Sequence, residues 1–518
     1  MRKELGQYMT PIEVVDFMIS LVEGGKNSSV LEPSSGEGDF IHRLLKHGCN
    51  DITAFEIDKE VIGDNNNHLV NNKSFIGTNY NEEFDLVIGN PPYIRWKNLG
   101  EDMKEEVKND ELFKEYLNSL VDYSAIFILK SIQALKEGGE LIFITPDYWL
   151  NSTHSNKLRD YMVRHGQFSD IYLLKETKIF KNATVSVMIF RYVKTKENLY
   201  PKINIRKYPK ISLDKDALYG MKNNKEDEIN YTVLQFEEGK SWGMYNDRIA
   251  KVINKLEEVT SYKGLTVGDV NEIGNGMISG LDKAFQITEE ELTDKELAST
   301  INVIKGRELK GYWYEDEIKY IFIEDELTEA EFKKNYPTFY EQLFPYKSRL
   351  MKRYNYNREI SYWEWVFLRN YSMFSTDKEK IFVPGKDRIS HKDYFRFSIV
   401  PPEKFPTQDV TALVPKDNTE ESIEYITGYL NSYWVFEWLK NKGTMKGHIV
   451  EFSHRPVSSI PYLSIDFDDE FEVGIHEKIT SKVKETISNK DRKNKEIIDG
   501  FIEDLIDYKL AKKGKYNI

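Results

Sequence analysis

Asn90-Pro91-Pro92-Tyr93 follows the apolar run Asp85-Leu86-Val87-Ile88-Gly89 and puts two oxygen acceptors at one point. Two successive prolines stiffen the backbone and remove two N–H donors, which leaves the carbonyls there free to accept. An exocyclic amine is a poor nucleophile because its lone pair is delocalised into its ring. The side-chain oxygen of Asn90 and the carbonyl of Pro91 can accept from the hydrogens of such an amine. They would bind the nitrogen better as it turns tetrahedral and positive than they bound it at the outset. Tyr93 adds a ring on which a base can stack. The bland alternative is a Pro-Pro turn beside a buried Asn.

Two upstream segments favour the chemical reading. Val30-Leu31-Glu32-Pro33-Ser34-Ser35-Gly36-Glu37-Gly38-Asp39-Phe40 reads as a strand, a glycine-bearing turn and a helix. Gly36 and Gly38 let backbone approach a ligand without a Cβ clash, and Glu32 sets a carboxylate where it could meet the cationic amino end of a methionine moiety. Alone, such a turn is as often an ordinary βα connection. Ala54-Phe55-Glu56-Ile57-Asp58 then ends a second strand in an acid placed to meet ribose hydroxyls. A surface acid capping the next helix is the competing reading, more for Asp58 than for Glu56. An amine inside a duplex is out of reach, so this chemistry implies turning the base out into a pocket with aromatic walls. Tyr93 is one wall and Phe180 a candidate for the other, although a lone Phe reads first as core.

The elements that must position these residues are α/β in grammar. Ser29 to Glu32, Ile52 to Glu56, Phe84 to Gly89, Glu140 to Thr145, Ile171 to Leu174 and Thr184 to Tyr192 read as strands. Glu13 to Glu23, Phe40 to His47, Ile126 to Leu135 and Ser155 to Arg164 read as helices between them. Arg95 to Leu120 is polar, either a helical insertion or a mobile loop over the site. With 518 residues the chain exceeds one typical domain. The divisions expected are a catalytic domain over 1–195, a polar junction over 196–240, a mixed α+β recognition module over 241–465 and a helical tail over 466–518. In that tail Ile475, Ile479 and Val483, and again Ile497, Ile498, Phe501, Ile502 and Leu505, keep helical spacing and predict packing back on the body.

A net charge of −13 excludes an indiscriminate polyanion binder, since phosphate contacts need Lys and Arg. A local patch can still bind DNA, and the best candidate is Lys347, Arg349, Lys352, Arg353 and Arg358, interleaved with Tyr346, Tyr354 and Tyr356. The alternative is a solvated helix face. The 32 Tyr and 28 Phe are mostly packing residues, because a nucleotide site needs only a few rings. Cys49 alone permits no intramolecular disulfide and no Cys-rich zinc site. No signal-peptide core or membrane-length apolar run is visible, so a soluble cytoplasmic, nucleoid-associated protein is expected.

Taken in order, these stretches resemble the gamma-class, TaqI-like N6-adenine DNA methyltransferases. The resemblance runs from Thr10-Pro11-Ile12-Glu13 through Val30 to Phe40, Glu56, Asn90 to Tyr93, Tyr123 to Phe127, Gly138-Gly139, Pro146 to Leu150 and Phe180 to Ile189. It implies a Rossmann-like methyltransferase sheet with helices on both faces, and S-adenosylmethionine as cofactor. Thr10, Glu32, Pro33, Ser34, Gly36, Gly38, Glu56, Ile57 and Asn90 would touch that cofactor, Glu56 at the ribose. Asn90 and Pro91 would accept from the adenine amine, with Tyr93 and Phe180 stacking the ring. One departure is that the family's Asp-Phe at the cofactor's adenine becomes Asn79-Tyr80, where Asn79 still offers a carbonyl acceptor. Double-stranded DNA is the implied partner, with a monomer and a genetically paired restriction endonuclease expected. The rivals are a protein glutamine N5-methyltransferase, an N4-cytosine methyltransferase and a non-catalytic DNA-specificity protein. The large aromatic second half weighs against the first, Asn90 against the second, and the intact Glu32, Glu56, Asn90 and Tyr93 against the third.

Overall fold

Strands covered on both faces read as unbroken apolar runs, and the runs seen above take their place in one large sheet. The computed structural model describes every residue except 1–7, 26, 63–68, 151, 176, 181–184, 224–228, 240–241, 290–291, 355, 391, 447 and 517–518. The expected strand start at Thr184 therefore lies outside the described residues. The chain forms two compact units, one ending at Asp247 and the other running from Arg248 to Ile518.

In the first unit, β1 (Val30–Glu32), β2 (Ile52–Phe55), β3 (Val70–Asn71), β4 (Phe84–Gly89), β5 (Leu135–Pro146), β6 (Gly166–Lys175) and β7 (Val187–Lys194) join with β8 (Lys202–Lys207) and β9 (Asn230–Leu234). Their order is β3-β2-β1-β4-β5-β7-β6-β8-β9. β1 to β5 run parallel, whereas β7 is antiparallel to both β5 and β6. Alternation divides the sheet's side chains between two cores. Val30, Leu86, Ile88 and Ile142 pack with Val14, Phe17 and Met18 of helix α1 (Ile12–Ile19) and Phe40 and Leu44 of α2 (Asp39–Lys46). Leu31, Val87, Leu141 and Phe143 belong instead to the core on the opposite face, with Ile126, Leu129, Leu158 and Met162. This is the α/β sheet with helices on both faces that the resemblance implies.

Strand order reverses between β1 and β4, and in open α/β sheets the crevice beyond the carboxyl ends of such a pair is where ligands bind. The glycine turn leaves β1 there, and Asn90 leaves β4. Arg95 to Leu120 takes the helical option, with α3 (Glu101–Asn109) and α4 (Glu111–Tyr116). Asp110 explains the break between them. Its carboxylate accepts from the backbone N–H groups of Leu112 and Phe113 to cap α4, and it pairs with the buried Lys130 at 2.8 Å. Lys130 belongs to α5 (Ser124–Ala134), which together with α6 (Asn156–His165) covers the second sheet face.

The structure corrects the polar junction expected over 196–240, since part of it extends the sheet. β8 pairs parallel with β6, β9 pairs antiparallel with β8, and α7 (Lys215–Asn223) lies between them. Ile203, Ile205 and Tyr231 point inward and are buried, while Lys202, Asn204 and Arg206 alternate with them. Charged residues on outlying strands discourage edge-to-edge pairing, and here they also hide a short period-two pattern inside polar composition.

The second unit is mixed α and β. Asn271–Asn275, Val410–Pro415, Lys380–Pro384 and Ser398–Val400 form an antiparallel four-stranded sheet. The helix Glu470–Asn489 packs on Lys495–Tyr516 and also on the helix Ile423–Leu430. Gly428 permits that approach, because a Cβ there would lie 2.9 Å from the Ile479 side chain. Among the described residues no helix is long and apolar enough to cross a membrane, and no His, Cys, Asp or Glu cluster could hold a metal.

Candidate active site

β1 ends on Glu32, whose side chain is wholly buried with both carboxylate oxygens lacking a hydrogen-bond partner among the described residues. Burial pushes its carboxyl well above the usual carboxylate range, and the nearby charges of Glu56 and Asp39 push it further. An acid this buried and unpaired costs stability unless a cation or hydrogen-bond donor joins it.

The following turn is shaped by two left-handed glycines, Gly36 at φ 54° and Gly38 at φ 87°, the latter leading into α2. Glu56, just past β2, holds this turn from the other side. Its Oε2 accepts from the Gly36 N–H and its Oε1 from the Asp58 N–H, both at 2.9 Å. Burial raises the Glu56 carboxyl too, opposed by those two backbone bonds. Each oxygen retains a lone pair for a further donor such as a hydroxyl. Replacing Gly38 with Ala forces a Cβ into the left-handed region, at a cost of about 1–2 kcal/mol. A lowered thermal unfolding midpoint, without loss of secondary structure by circular dichroism, is the expected result.

β4 delivers Asn90, and the Ser34 hydroxyl donates to its carbonyl at 3.0 Å, which joins the two motifs. The Asn90 amide nitrogen donates to the Tyr8 carbonyl at 2.7 Å and to Thr10 Oγ1 at 3.0 Å. A carbonyl can only accept, so the contact with Tyr8 decides which end of the amide is nitrogen. The other end, Oδ1, is buried without a partner among the described residues. Among the described residues no donor reaches the buried Pro91 carbonyl either.

A cleft partly open to solvent runs past Glu32, the glycine turn, Glu56 and Asn90. Of the residues singled out in the sequence, Thr10, Glu32, Pro33, Ser34, Gly36, Glu56, Ile57 and Asn90 line it. Gly38 stands behind the wall as the cap of α2. Asn79 and Tyr80 do not line it: Asn79 is exposed, and the Tyr80 ring packs on Phe55 and Phe84 at 6.0 and 5.1 Å. Ser74 and Phe75 line the cleft, as do Tyr8, Met9, Lys73, Met103, Tyr123 and Phe127, which sequence reasoning did not assign to a site. For Tyr123 and Phe127 a signal existed in the family-like segment that contains them. β3, at two residues, offers no periodicity from which to place Ser74 and Phe75.

Pro91, Tyr93 and Phe180 lie off that cleft. The Tyr93 hydroxyl donates to the Ile144 carbonyl at 2.8 Å, which fixes its ring. Tyr93 and Phe180 are brought together with ring centres 6.2 Å apart and planes crossed at 68°. The Tyr8 ring lies against both, at 5.4 and 5.2 Å. The arrangement thus joins an unpaired buried acid, an unpaired amide oxygen and three converging rings.

Residues 25–180 match the family model of the Eco57I restriction-modification methylase. Over 500 residues the chain is 42% identical to the Type II methyltransferase M.HindII of Haemophilus influenzae, covering 94% of this chain and 95% of the relative. It is 41% identical over 488 residues to M.HincII, also from Haemophilus influenzae, covering 94% of each. The solved structure of the Type IIL restriction-modification enzyme MmeI in complex with DNA shares the fold, with a TM-score of 0.64 over 96% of this chain and 72% of that one, at 11% identity.

Proposed function

Because the chain belongs to the type II DNA methyltransferases of restriction-modification systems, we propose that it methylates N6 of an adenine turned out of double-stranded DNA, with S-adenosylmethionine as donor. The observation that carries this reading is Asn90, an amide whose nitrogen is spent on Tyr8 and Thr10 while its buried oxygen accepts from none of the described residues. A preorganised acceptor of this kind suits the hydrogens of an amine whose nitrogen becomes positive during reaction.

The residues present fit the cofactor. The orphaned Glu32 carboxylate suits its ammonium group, the Glu56 oxygens its ribose hydroxyls, and the left-handed turn at Gly36 gives it close backbone approach. Ser74 and Phe75 take the part at the adenine that the resemblance gave to Asn79 and Tyr80, since they line the cleft. When bound, the cofactor supplies an electrophilic methyl group on a sulfonium. The chain's part is to hold the amine with Asn90 Oδ1 and the Pro91 carbonyl, to stack the ring with Tyr93 and Phe180, and to exclude water.

A base between two parallel rings needs about 7 Å, two van der Waals contacts of about 3.5 Å each. Tyr93 and Phe180 are closer than that and crossed, with Tyr8 against both. Base entry therefore displaces the Tyr8 ring while its carbonyl keeps Asn90 in place. The proposal extends to a cytoplasmic monomer encoded beside a restriction endonuclease, with the second unit reading the target sequence.

The test is to incubate purified protein with labelled donor and plasmid, digest the DNA and identify the methylated nucleoside. N6-methyladenine within one short sequence is expected. N4-methylcytosine, the closest rival because its amine offers the same two hydrogens, would overturn the adenine assignment.

A further inference from the structure

The second unit carries a basic segment in an acidic chain: residues 346–370 include six Lys or Arg and two Glu, against a net charge of −13 overall. Side-chain bonding divides those six. Lys347 is held by Glu329 at 2.6 Å. Arg353 donates to the carbonyls of Ser279, Leu350, Ser361 and Glu364, and burial lowers its guanidinium pKa to about 10. Arg358 donates to the Val366 carbonyl. These three build the segment. Arg349 and Lys352 are exposed and make no side-chain bond to any described residue, and Arg369 has only a ring contact, 5.6 Å over Phe367. Of the two acids, Glu364 accepts from the Ser361 N–H and Glu359 is exposed.

The same segment holds apolar side chains out in water. Tyr354 is 72% exposed and Met351 60%, with Tyr356, Phe367 and Leu368 also exposed. The rings form a chain, Tyr354 to Tyr356 at 4.8 Å and Tyr356 to Phe367 at 5.2 Å. Tyr356 and Asn357 stand at φ 55° and 60°, left-handed positions that a Tyr in particular adopts only at a cost. Strain of this kind persists where the surroundings impose it, and it clusters at functional positions. Contiguous rings kept from the core mark an interaction surface. Unspent cations beside them select a partner that is both polyanionic and aromatic.

We propose that Arg349, Lys352, Tyr354, Tyr356 and Phe367 form a DNA-insertion element, in which Arg349 and Lys352 take backbone phosphates while Tyr354, Tyr356 and Phe367 wedge against the bases of a duplex. The inference rests on the proposed action on duplex DNA and adds which surface of the second unit makes the contact. Internal use of Lys347, Arg353 and Arg358 removes them from the phosphate-binding set that the bare sequence suggests.

The test measures duplex binding by the full chain over a range of salt concentrations, using an oligonucleotide carrying the methylated sequence. Each phosphate contact contributes about 0.9 to the slope of log affinity against log salt. Replacing Arg349 and Lys352 together with Ala should flatten the slope by nearly 2. Tyr354→Ala should weaken binding about tenfold or more with the slope unchanged, and Tyr354→Trp should restore it, as stacking requires. Donor binding and the unfolding midpoint should match wild type in all three variants. Unchanged slope and unchanged affinity in folded variants would overturn the proposal, and a patch serving a protein partner gives that result. Loss of slope without any effect of Tyr354→Ala overturns the wedge. A wild-type chain that binds no duplex would sink the functional reading itself, whereas an N4-methylcytosine product would leave this test intact.

Discussion

Asn90→Ala is expected to slow methyl transfer by about two to three orders of magnitude or more, the usual consequence of removing one preorganised polar partner at a reacting centre. The loss should fall on the chemical step. Asn90 Oδ1 has no partner of its own, so its removal leaves no donor stranded, while Tyr8 and Thr10 each lose one hydrogen bond. The fold should survive, because β4 is held by β1 and β5 through backbone pairing upstream of position 90. Single-turnover rates with DNA and donor both saturating separate this from weakened binding. Asn90→Asp sharpens the argument. An ionised Asp keeps acceptor oxygens but cannot donate to the Tyr8 carbonyl, and it places a charge against that oxygen. If the acceptor alone mattered, Asp would restore much of the rate. If the amide must also be anchored by Tyr8 and Thr10, Asp should be nearly as slow as Ala. A wild-type rate in Asn90→Ala would remove the acceptor from the mechanism.

The site was legible in the sequence wherever one short segment carries both the element and the chemistry. β4 with Asn90 to Tyr93, and β1 with its glycine turn, are such segments: an apolar run fixes the strand and the next residues emerge at its carboxyl end. Legibility fails where a contact joins distant segments. Nothing near residue 8 indicates that its carbonyl orients an amide 82 positions later or that its ring meets Tyr93 and Phe180. The same limit applies to charge. Lys347 and Arg358 look like Arg349 and Lys352 in a row of letters, yet Glu329 and the Val366 carbonyl engage the first two. β8 and β9 were hidden for a third reason. β8 has only two apolar positions, set among Lys202, Lys207 and Arg206, and β9 is only five residues long, too short to show a period, although burial of Ile203, Ile205 and Tyr231 supports them well.

Glu32→Gln should stabilise the ligand-free protein and at the same time weaken donor binding. The two effects share a cause. Both Glu32 oxygens are buried and unpaired among the described residues, so ionisation there opposes folding, and burial holds the carboxyl above its ordinary value of 4.5. A group whose folded pKa is raised makes its full contribution to stability below the unfolded pKa and loses it as pH rises through the folded value. The wild-type unfolding midpoint should therefore fall relative to Glu32→Gln as pH climbs above 4.5, and the two should converge below it. A donor carrying an ammonium reverses the preference, because it favours the ionised acid. Wild-type binding should release a proton wherever Glu32 was protonated beforehand, and calorimetry in buffers of differing ionisation enthalpy reads that release directly. The amide of the Glu32→Gln variant has no such proton to give up. Removing one member of a buried charge pair costs about 2–5 kcal/mol, an affinity loss of about 30-fold or more. If Glu32→Gln instead bound the donor as tightly as wild type with the same proton count, the acid would have no part in holding the ammonium group. Its burial without a partner would then lack the compensation that ligand binding supplies.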